Sequence, residues 1–309
     1  MLARAGLDVV YPEHPELSTV EAAVAALKNV EAVLAGGDLY CDEVLEQLPN
    51  LRVIARAGVG FDLVDIPSAT RHGVAVTITP NANHQGVAEH ALALLLAVAR
   101  TISQNDREVR SGQWPKPRLI PLRGKTLGLV GLGRIGRSFA VRAQALQMNV
   151  IACDPVLTEA ASRELGIRLV SFDQLLAEAD FVSLHAPMND STRGMINRDT
   201  LGRMRAGSIL INTARGKLVV EEDLAEALRS GHLAGAGLDV MVAEPPPANH
   251  PLFSLPNVVI TSHTAGADTL AIRDMAIDAT QCIIDLYEGR WPAESLVNPE
   301  VRDRFTWRR

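Results

Sequence analysis

The sequence predicts an α/β protein: a doubly wound parallel sheet beside a second, smaller α/β domain. Three observations carry this. From Lys125 onward, short β-branched runs alternate with helical stretches. A glycine-rich turn joins the first of those strands to its helix, and the chain before it repeats a shorter cycle of the same kind. Repeated βα units of this length imply a parallel sheet covered by helices on both faces.

In the larger unit Thr126–Val130 reads as a strand, Arg137–Gln147 as a helix and Asn149–Cys153 as the next strand. Arg168–Val170 and Phe181–His185 are further apolar runs, separated by the helical Phe172–Ala179. Then come strand Ser208–Asn212, helix Glu221–Arg229, and strands Ala234–Val240 and Asn257–Thr261. In the smaller unit Leu7–Val10, Ala32–Ala35, Arg52–Ala55 and Val74–Ile78 read as strands, with helices at Val20–Leu27 and Asp42–Leu48. Two long helical patterns, Gly86–Thr101 and Asp268–Tyr287, bracket the larger unit and read as crossings between domains. Ser111–Leu122 carries Pro115, Pro117 and Pro121, so an extended loop is expected there. Leu2–Ala5 followed by Gly6 resembles the last turn of a helix and its glycine cap. A helix does not consist of one turn, so a strand and most of a helix are expected upstream.

The chain has 309 residues, 47% hydrophobic content and 21% charged residues, enough for a sizeable core and two domains. A net charge of -6 and no basic run argue against a nucleic-acid partner. Cys41, Cys153 and Cys282 are sparse and far apart, which suits a reducing compartment. The longest apolar stretch, Ala91–Ala99, is far short of the roughly 20 residues that span a bilayer. No basic segment followed by an apolar one opens the chain. A cytoplasmic protein with no membrane partner and no metal is expected.

Gly131-Leu132-Gly133-Arg134-Ile135-Gly136 follows directly on strand Thr126–Val130 and opens a helix. The first glycine permits the tight turn, the second lets backbone approach a pyrophosphate, and the third allows close helix–strand packing. The helix N-terminus offers free amides and partial positive charge to the phosphates. Asp154 ends the next strand, where a carboxylate would accept from ribose hydroxyls and repel a 2′-phosphate. The expectation is a Rossmann-type unit that takes NAD rather than NADP.

In an open parallel sheet, ligands bind beyond the carboxyl ends of the strands. Arg215, Glu244 and His263 each stand just past a strand end, on the edge that carries the glycine loop. Arginine offers a planar fork matched to a carboxylate. Histidine can give a proton to a forming alkoxide or take one in the reverse direction. A nearby glutamate would fix the imidazole tautomer and favour its charged form. Taken singly, Arg215 could be a surface residue, Glu244 a solvated turn before Pro245-Pro246-Pro247, and His263 a structural histidine. His185, also at a strand end, is the competitor for the acid–base role.

At this point the motifs are similar to those of the D-isomer-specific 2-hydroxyacid dehydrogenases over nearly the whole chain. They are Arg56-Ala-Gly-Val-Gly-Phe-Asp62, Val87-Ala-Glu-His90, Gly131–Gly136, His185-Ala-Pro187, Asn212-Thr-Ala-Arg-Gly216, Gly237-Leu-Asp-Val240 with Glu244-Pro245, and Ser262-His263. The resemblance implies that Arg215 binds a substrate carboxylate and that Glu244 pairs with a catalytic His263. It places cofactor contacts at Arg134, Ile135, Asp154, Ala186, Thr213, Asp239 and Ala265, beside Gly131, Gly133 and Gly136. It places substrate contacts at Val59 and Gly60, through their backbone amides. Arg56 either helps to hold an acidic substrate or is a strand residue paired with Asp62 or Asp65.

The resemblance further implies a smaller flavodoxin-like domain for substrate (residues 1–98 and 287–309) and an NAD-binding domain (residues 99–286). The expected reaction is hydride transfer between NAD and a small 2-hydroxy or 2-oxo acid. The nearest likeness is to phosphoglycerate dehydrogenases and their glyoxylate- and hydroxypyruvate-reducing relatives. Glu244 and His263 argue against the formate-oxidising branch. With nothing after Arg309 matching a regulatory extension, amino-acid feedback is not expected. Val220 stands where an aspartate is common. The alternatives are a phosphite-oxidising enzyme with the same Arg–Glu–His set and an NAD-sensing binding protein. A homodimer is expected as well. Ala91–Ala99 has too many aliphatic positions for one buried face, Ser111–Leu122 is long for a connection within one domain, and the resemblance implies dimers.

Overall fold

The computed structural model describes residues 1–12 and 19–307. These fall into two compact units, Met1–Asn83 with Ala267–Arg309, and His84–Gly266. In the smaller unit the hydroxyl of Thr19 accepts the Ala22 amide at 3.2 Å and starts α1 (Val20–Leu27). Then follow β1 (Ala32–Ala35), α2 (Asp42–Leu45), β2 (Val53–Arg56), α3 (Ile66–Arg71) and β3 (Ala75–Thr77). Asp65 caps α3 by accepting the Ser68 amide at 2.9 Å. The strands form one parallel sheet in the order β1-β2-β3. Tyr40, Leu45, Leu51 and Ile54 are fully buried around it.

The expected strand Leu7–Val10 does not form. Val9 and Val10 are exposed, and among the described residues no strand pairs with the segment, so its polar backbone has no ladder to join. Gly6 does close the turn Leu2–Ala5 in the left-handed region, at φ +82°.

The larger unit opens with α4 (His84–Ala99), expected as Gly86–Thr101, and α5 (Ile102–Arg110), which the sequence pattern did not predict. Thr101 divides them: it takes a left-handed φ of +50°, which no right-handed helix accommodates. Residues 113–122 run without regular structure, as their prolines require. Then come β4 (Thr126–Val130), α6 (Arg134–Ala145), β5 (Asn149–Cys153), α7 (Glu159–Glu164), β6 (Arg168–Leu169), α8 (Phe172–Glu178), β7 (Phe181–Leu184), α9 (Arg198–Arg203), β8 (Ser208–Asn212), α10 (Glu221–Arg229), β9 (Leu233–Leu238) and β10 (Val258–Ile260). After them α11 (Thr269–Tyr287), capped by Asp268, belongs to the smaller unit.

The larger sheet is parallel throughout, in the order β10-β9-β8-β7-β4-β5-β6. Its side chains alternate between two cores, as the pleat dictates. Leu127, Leu129, Phe181, Ile209 and Ile211 pack with α4 and α6. Val130, Val182, Leu184, Leu210 and Leu238 pack with α8, α9 and α10. A methyl group on Gly235 would lie 2.5 Å from Val98, and one on Gly237 would lie 2.9 Å from Leu94, so α4 sits directly on the backbone of β9. This buries Ala91, Leu94, Leu95, Val98 and Ala99 inside the chain. The apolar character of Ala91–Ala99 is thereby explained without a partner subunit.

Each long helix lies within one unit. α4 packs on β8, β9 and α6, and α11 packs on β1 and β2. The units therefore divide one helix earlier than the expected 98/99 and 286/287 boundaries. Among the described residues no single helix is long and apolar enough to cross a membrane.

Candidate active site

Strand order reverses beside β4, between β5 and β7, and the glycine loop leaves β4 at that point. Gly131 has φ +96°, and an added Cβ would lie 2.8 Å from the His185 carbonyl carbon. A Cβ on Gly136 would lie 2.4 Å from the Gly131 oxygen. Gly133 faces open space, so a ligand can approach its backbone. α6 begins at Arg134, one turn earlier than expected, because Gly133 takes the N-cap position; no side chain caps the first amides. Arg134 is exposed and Ile135 half-buried.

Asp154 Oδ2 accepts the Leu132 amide at 2.7 Å, while Oδ1 accepts Val156 and Leu157 at 2.9 and 3.0 Å. Three of a carboxylate's roughly four acceptor sites are thus filled. Burial opposes its ionisation, but these amides and the Arg137 charge prevail and hold it below the usual carboxylate range. The Thr213 hydroxyl is buried with no hydrogen-bond partner among the described residues, and Ala186 lies just past β7. An open backbone at Gly133, uncapped helix amides, an orphaned hydroxyl and an ionised carboxylate at the switch point all fit a dinucleotide.

Three further strand ends supply ionisable groups. At the end of β8, Asn212 is buried and forms an Asx turn: Oδ1 accepts the Ala214 amide at 3.0 Å and Nδ2 donates to the Arg215 carbonyl at 2.8 Å. This fixes the backbone from which Arg215 projects. After β9, Asp239 is buried and holds the segment that follows β10. Its backbone oxygen accepts the His263 amide at 2.8 Å. Its carboxylate accepts the Thr261 hydroxyl at 2.6 Å and the Thr264 and Ala265 amides at 2.9 Å each. His90 of α4 completes the chain, with Nε2 2.8 Å from the Thr261 hydroxyl. Asp239 and Ala265, expected as cofactor contacts, are therefore already engaged with one another.

Within that frame His263 takes a left-handed φ of +55°, rare for a residue with a side chain. Its Nδ1 lies 2.7 Å from Glu244 Oε2, and Glu244 Oε1 accepts the Met241 amide at 2.9 Å. The hydrogen bond to Glu244 raises the His263 pKa; burial and the Arg215 charge oppose it. Burial works against ionised Glu244, but the His263 bond, the Met241 amide and Arg215 keep its pKa low. Arg215 is thus near enough for its charge to act on both. With Nδ1 engaged by Glu244, Nε2 is left to exchange a proton.

His185 sits differently. Its Nε2 is 2.9 Å from the Ser183 hydroxyl, its Nδ1 is buried, and desolvation pushes its pKa down to about 4. At neutral pH its ring is uncharged, so it has no imidazolium proton to give.

In the smaller unit Arg56 ends β2, and its Nε donates to the Gly60 carbonyl at 3.0 Å, bracing the loop that carries Val59 and Gly60. The Thr79 amide fastens the same loop through Gly58 O at 3.0 Å. Asp65, one of the two carboxylates considered for Arg56, is occupied as the α3 cap. Elsewhere in this unit Asp42, Glu46 and His72 come together on the surface, where Asp42 already pairs with Arg71 at 2.7 Å and with Ser68.

Sequence reasoning missed the roles of Asn212, Thr261 and His90. Asn212 carried a signal, since asparagine two residues before a turn amide is an Asx-turn former. His90 stood in a quoted motif, but nothing in the sequence links it to Thr261.

The model of the D-isomer-specific 2-hydroxyacid dehydrogenase NAD-binding domain matches residues 92–265. The chain is 40% identical over 281 residues to a D-3-phosphoglycerate dehydrogenase of Archaeoglobus fulgidus, covering 90% of this chain and 53% of that one. It is 42% identical over 265 residues to a glyoxylate reductase of Korarchaeum cryptofilum, covering 84% and 80%. A solved structure of a Thermus thermophilus protein superposes with a TM-score of 0.85 at 38% identity, over 96% of this chain and 94% of that one. The chain spans about half the length of the phosphoglycerate dehydrogenases it matches.

Proposed function

Because the chain belongs to the D-isomer-specific 2-hydroxyacid dehydrogenase family, we propose that it is an NAD-dependent oxidoreductase acting on the CH–OH group of a small D-2-hydroxy acid. The substrate class is 3-phosphoglycerate-, hydroxypyruvate- or glyoxylate-like. The observation that carries this reading is the His263–Glu244 pair at 2.7 Å, under the charge of Arg215, on the sheet edge that bears the glycine loop.

Bound NADH supplies the hydride. Arg215 binds the substrate carboxylate with its planar fork and polarises the adjacent carbonyl. His263 Nε2 gives its proton to the carbonyl oxygen as that oxygen gains charge, and takes it back in oxidation. Glu244 keeps the imidazole oriented and charged. Gly131, Gly133, Arg134, Ile135, Gly136, Asp154, Ala186, Thr213, Asp239 and Ala265 are assigned to the cofactor. On the smaller unit Arg56, Val59 and Gly60 are assigned to the acid.

The test is NADH oxidation against phosphohydroxypyruvate, hydroxypyruvate, glyoxylate and pyruvate, with NAD reduction by phosphite alongside. Turnover of phosphite alone would make the protein an NAD-dependent phosphite dehydrogenase. Binding of NADH with no turnover of any would make it a sensor. A homodimer is part of the reading. Its support is the exposed apolar set Ile102, Val109, Trp114 and Leu119 on α5 and the segment after it, Trp114 being 80% exposed. Light scattering at micromolar concentration reads it. The unpaired Cys41, Cys153 and Cys282 suit a reducing, cytoplasmic setting.

A further inference from the structure

Two carboxylate–imidazole pairs meet at two successive backbone amides of the larger unit. Glu244 Oε1 accepts the Met241 amide and Glu221 Oε1 accepts the Val242 amide, each at 2.9 Å. Each glutamate turns its other oxygen to a histidine: Glu244 to His263 at 2.7 Å and Glu221 to His250 at 3.2 Å. The pairs differ in access. The side chains of His263 and Glu244 are 51% and 38% exposed, and those of His250 and Glu221 are 10% and 12% exposed. The first pair is open to reactants; the second is closed to them.

The second pair is set for a holding task. His250 Nδ1 accepts the Leu252 amide at 3.4 Å, so the neutral ring carries its proton on Nε2, facing Glu221. Glu221 opens α10, and His250 caps the short turn Pro251–Ser254. The segment between Val242 and His250, which contains Glu244, is thus fastened at both ends to one carboxylate. Beneath it lies Gly216, the neighbour of Arg215. A Cβ there would fall 2.0 Å from the Met241 carbonyl carbon and 2.5 Å from the Val242 nitrogen, so the 241–242 peptide rests directly on the backbone that carries Arg215.

We propose that Glu221 and His250 are positioning residues: they clamp the Met241–Val242 peptide onto Gly216 and thereby set where Glu244 meets His263. The kinetic consequence rests on the dehydrogenase reading above; the geometric claim does not. The charged groups that act on His263 are Glu244, Arg215 and Asp239, so Glu221 influences it through the position of Glu244.

The experiment compares full-length Glu221→Leu and Glu221→Gln with the parent protein, each checked for folding by circular dichroism. Gln keeps an oxygen for the Val242 amide but turns an NH2 toward the His250 Nε2 proton, so it keeps one of the two bonds; Leu keeps neither. For Leu, the reductive kcat should fall by about tenfold or more, since small misplacements of catalytic groups are costly. NADH affinity should stay within about twofold, and the alkaline limb of the rate profile should move to lower pH. For Gln, which keeps the Val242 bond and loses the His250 one, kcat should fall clearly less than for Leu. Proton NMR gives a readout independent of turnover. The His263 ring resonance, assigned by its loss in His263→Asn, should titrate at lower pH in Glu221→Leu. An unmoved titration, or Gln as damaging as Leu, overturns the proposal. If Glu221→Leu does not fold, His250→Leu against His250→Gln is read in the same way, Gln keeping a donor toward Glu221. A parent protein that turns over no 2-oxo acid, with a shifted His263 titration in the Leu variant, sinks the reaction and leaves the clamp standing.

Discussion

Asp239 holds His263 by the backbone, not by the ring: its carbonyl takes the His263 amide at 2.8 Å while its carboxylate takes the amides of Thr264 and Ala265. A histidine at φ +55° needs such restraint. Asp239→Asn puts an NH2 group against an amide or hydroxyl donor. Hydrogen bonds to a charged group are worth roughly 1.5–3 kcal/mol. We expect kcat to fall about tenfold or more and the Thr264 and Ala265 amides to exchange faster with deuterium. Unchanged protection at both amides would remove Asp239 from this role.

Glu244→Gln keeps the shape and removes the charge. The His263 pKa is raised chiefly by this partner, so reduction should hold its rate up to that raised value and fall above it. The variant's alkaline limb should lie at lower pH, and the rise of the oxidative rate should shift the same way. Superimposable profiles would show that Glu244 does not tune the acid.

Arg215→Lys keeps a charge but not the two-pronged fork. A clamp of this kind contributes roughly 1.5–3 kcal/mol, or about ten- to hundredfold in kcat/KM. Lysine should recover only part of the loss seen with Arg215→Ala. A loss below about tenfold for Ala would count against a substrate contact.

Asp154→Ala removes both a negative charge and the acceptor for Leu132, Val156 and Leu157. NADH should bind more weakly, and the NADH-to-NADPH ratio of kcat/KM should fall by about tenfold or more as like-charge repulsion disappears. A parent protein that already prefers NADPH would contradict the assignment.

His185 sets an acid limit on stability. Its pKa is lowered from 6.5 to about 4 by burial. Protonation therefore favours the unfolded chain: the contribution is intact above the unfolded value and is lost as pH falls from there toward 4, by about 1.4 kcal/mol per pH unit. Urea unfolding at pH 7, 6 and 5 should show a shallower decline for His185→Gln than for the parent. Parallel declines would place the acid sensitivity elsewhere.

The strands of the larger sheet were legible because each is a short apolar run closed by a turn; Thr126–Val130, Asn149–Cys153 and Ser208–Asn212 match to the residue. α3, α7 and α9 were not, because six residues make too few turns to show a helical period. Leu7–Val10 looked like a strand by composition alone, and composition cannot say whether a neighbour exists to pair with it. The edge that gathers Arg215, Glu244 and His263 followed from strand ends. Glu221 and His250 had no such mark: they lie 29 residues apart, on a helix start and a short turn, and only folding brings them together.

The unit boundaries after Asn83 and after Gly266 leave the glycine loop, Arg215, Glu244 and His263 on one uninterrupted stretch of chain, while Arg56, Val59 and Gly60 lie outside it. Under the proposed function, proton handling and the Arg215 carboxylate clamp share that stretch, and the further acid contacts assigned to Arg56, Val59 and Gly60 are encoded in the flanking segment. On that assignment, substitutions in the loop that Arg56 braces would alter those further contacts without rewriting the residues that move the proton, a division of labour that lends itself to diversification.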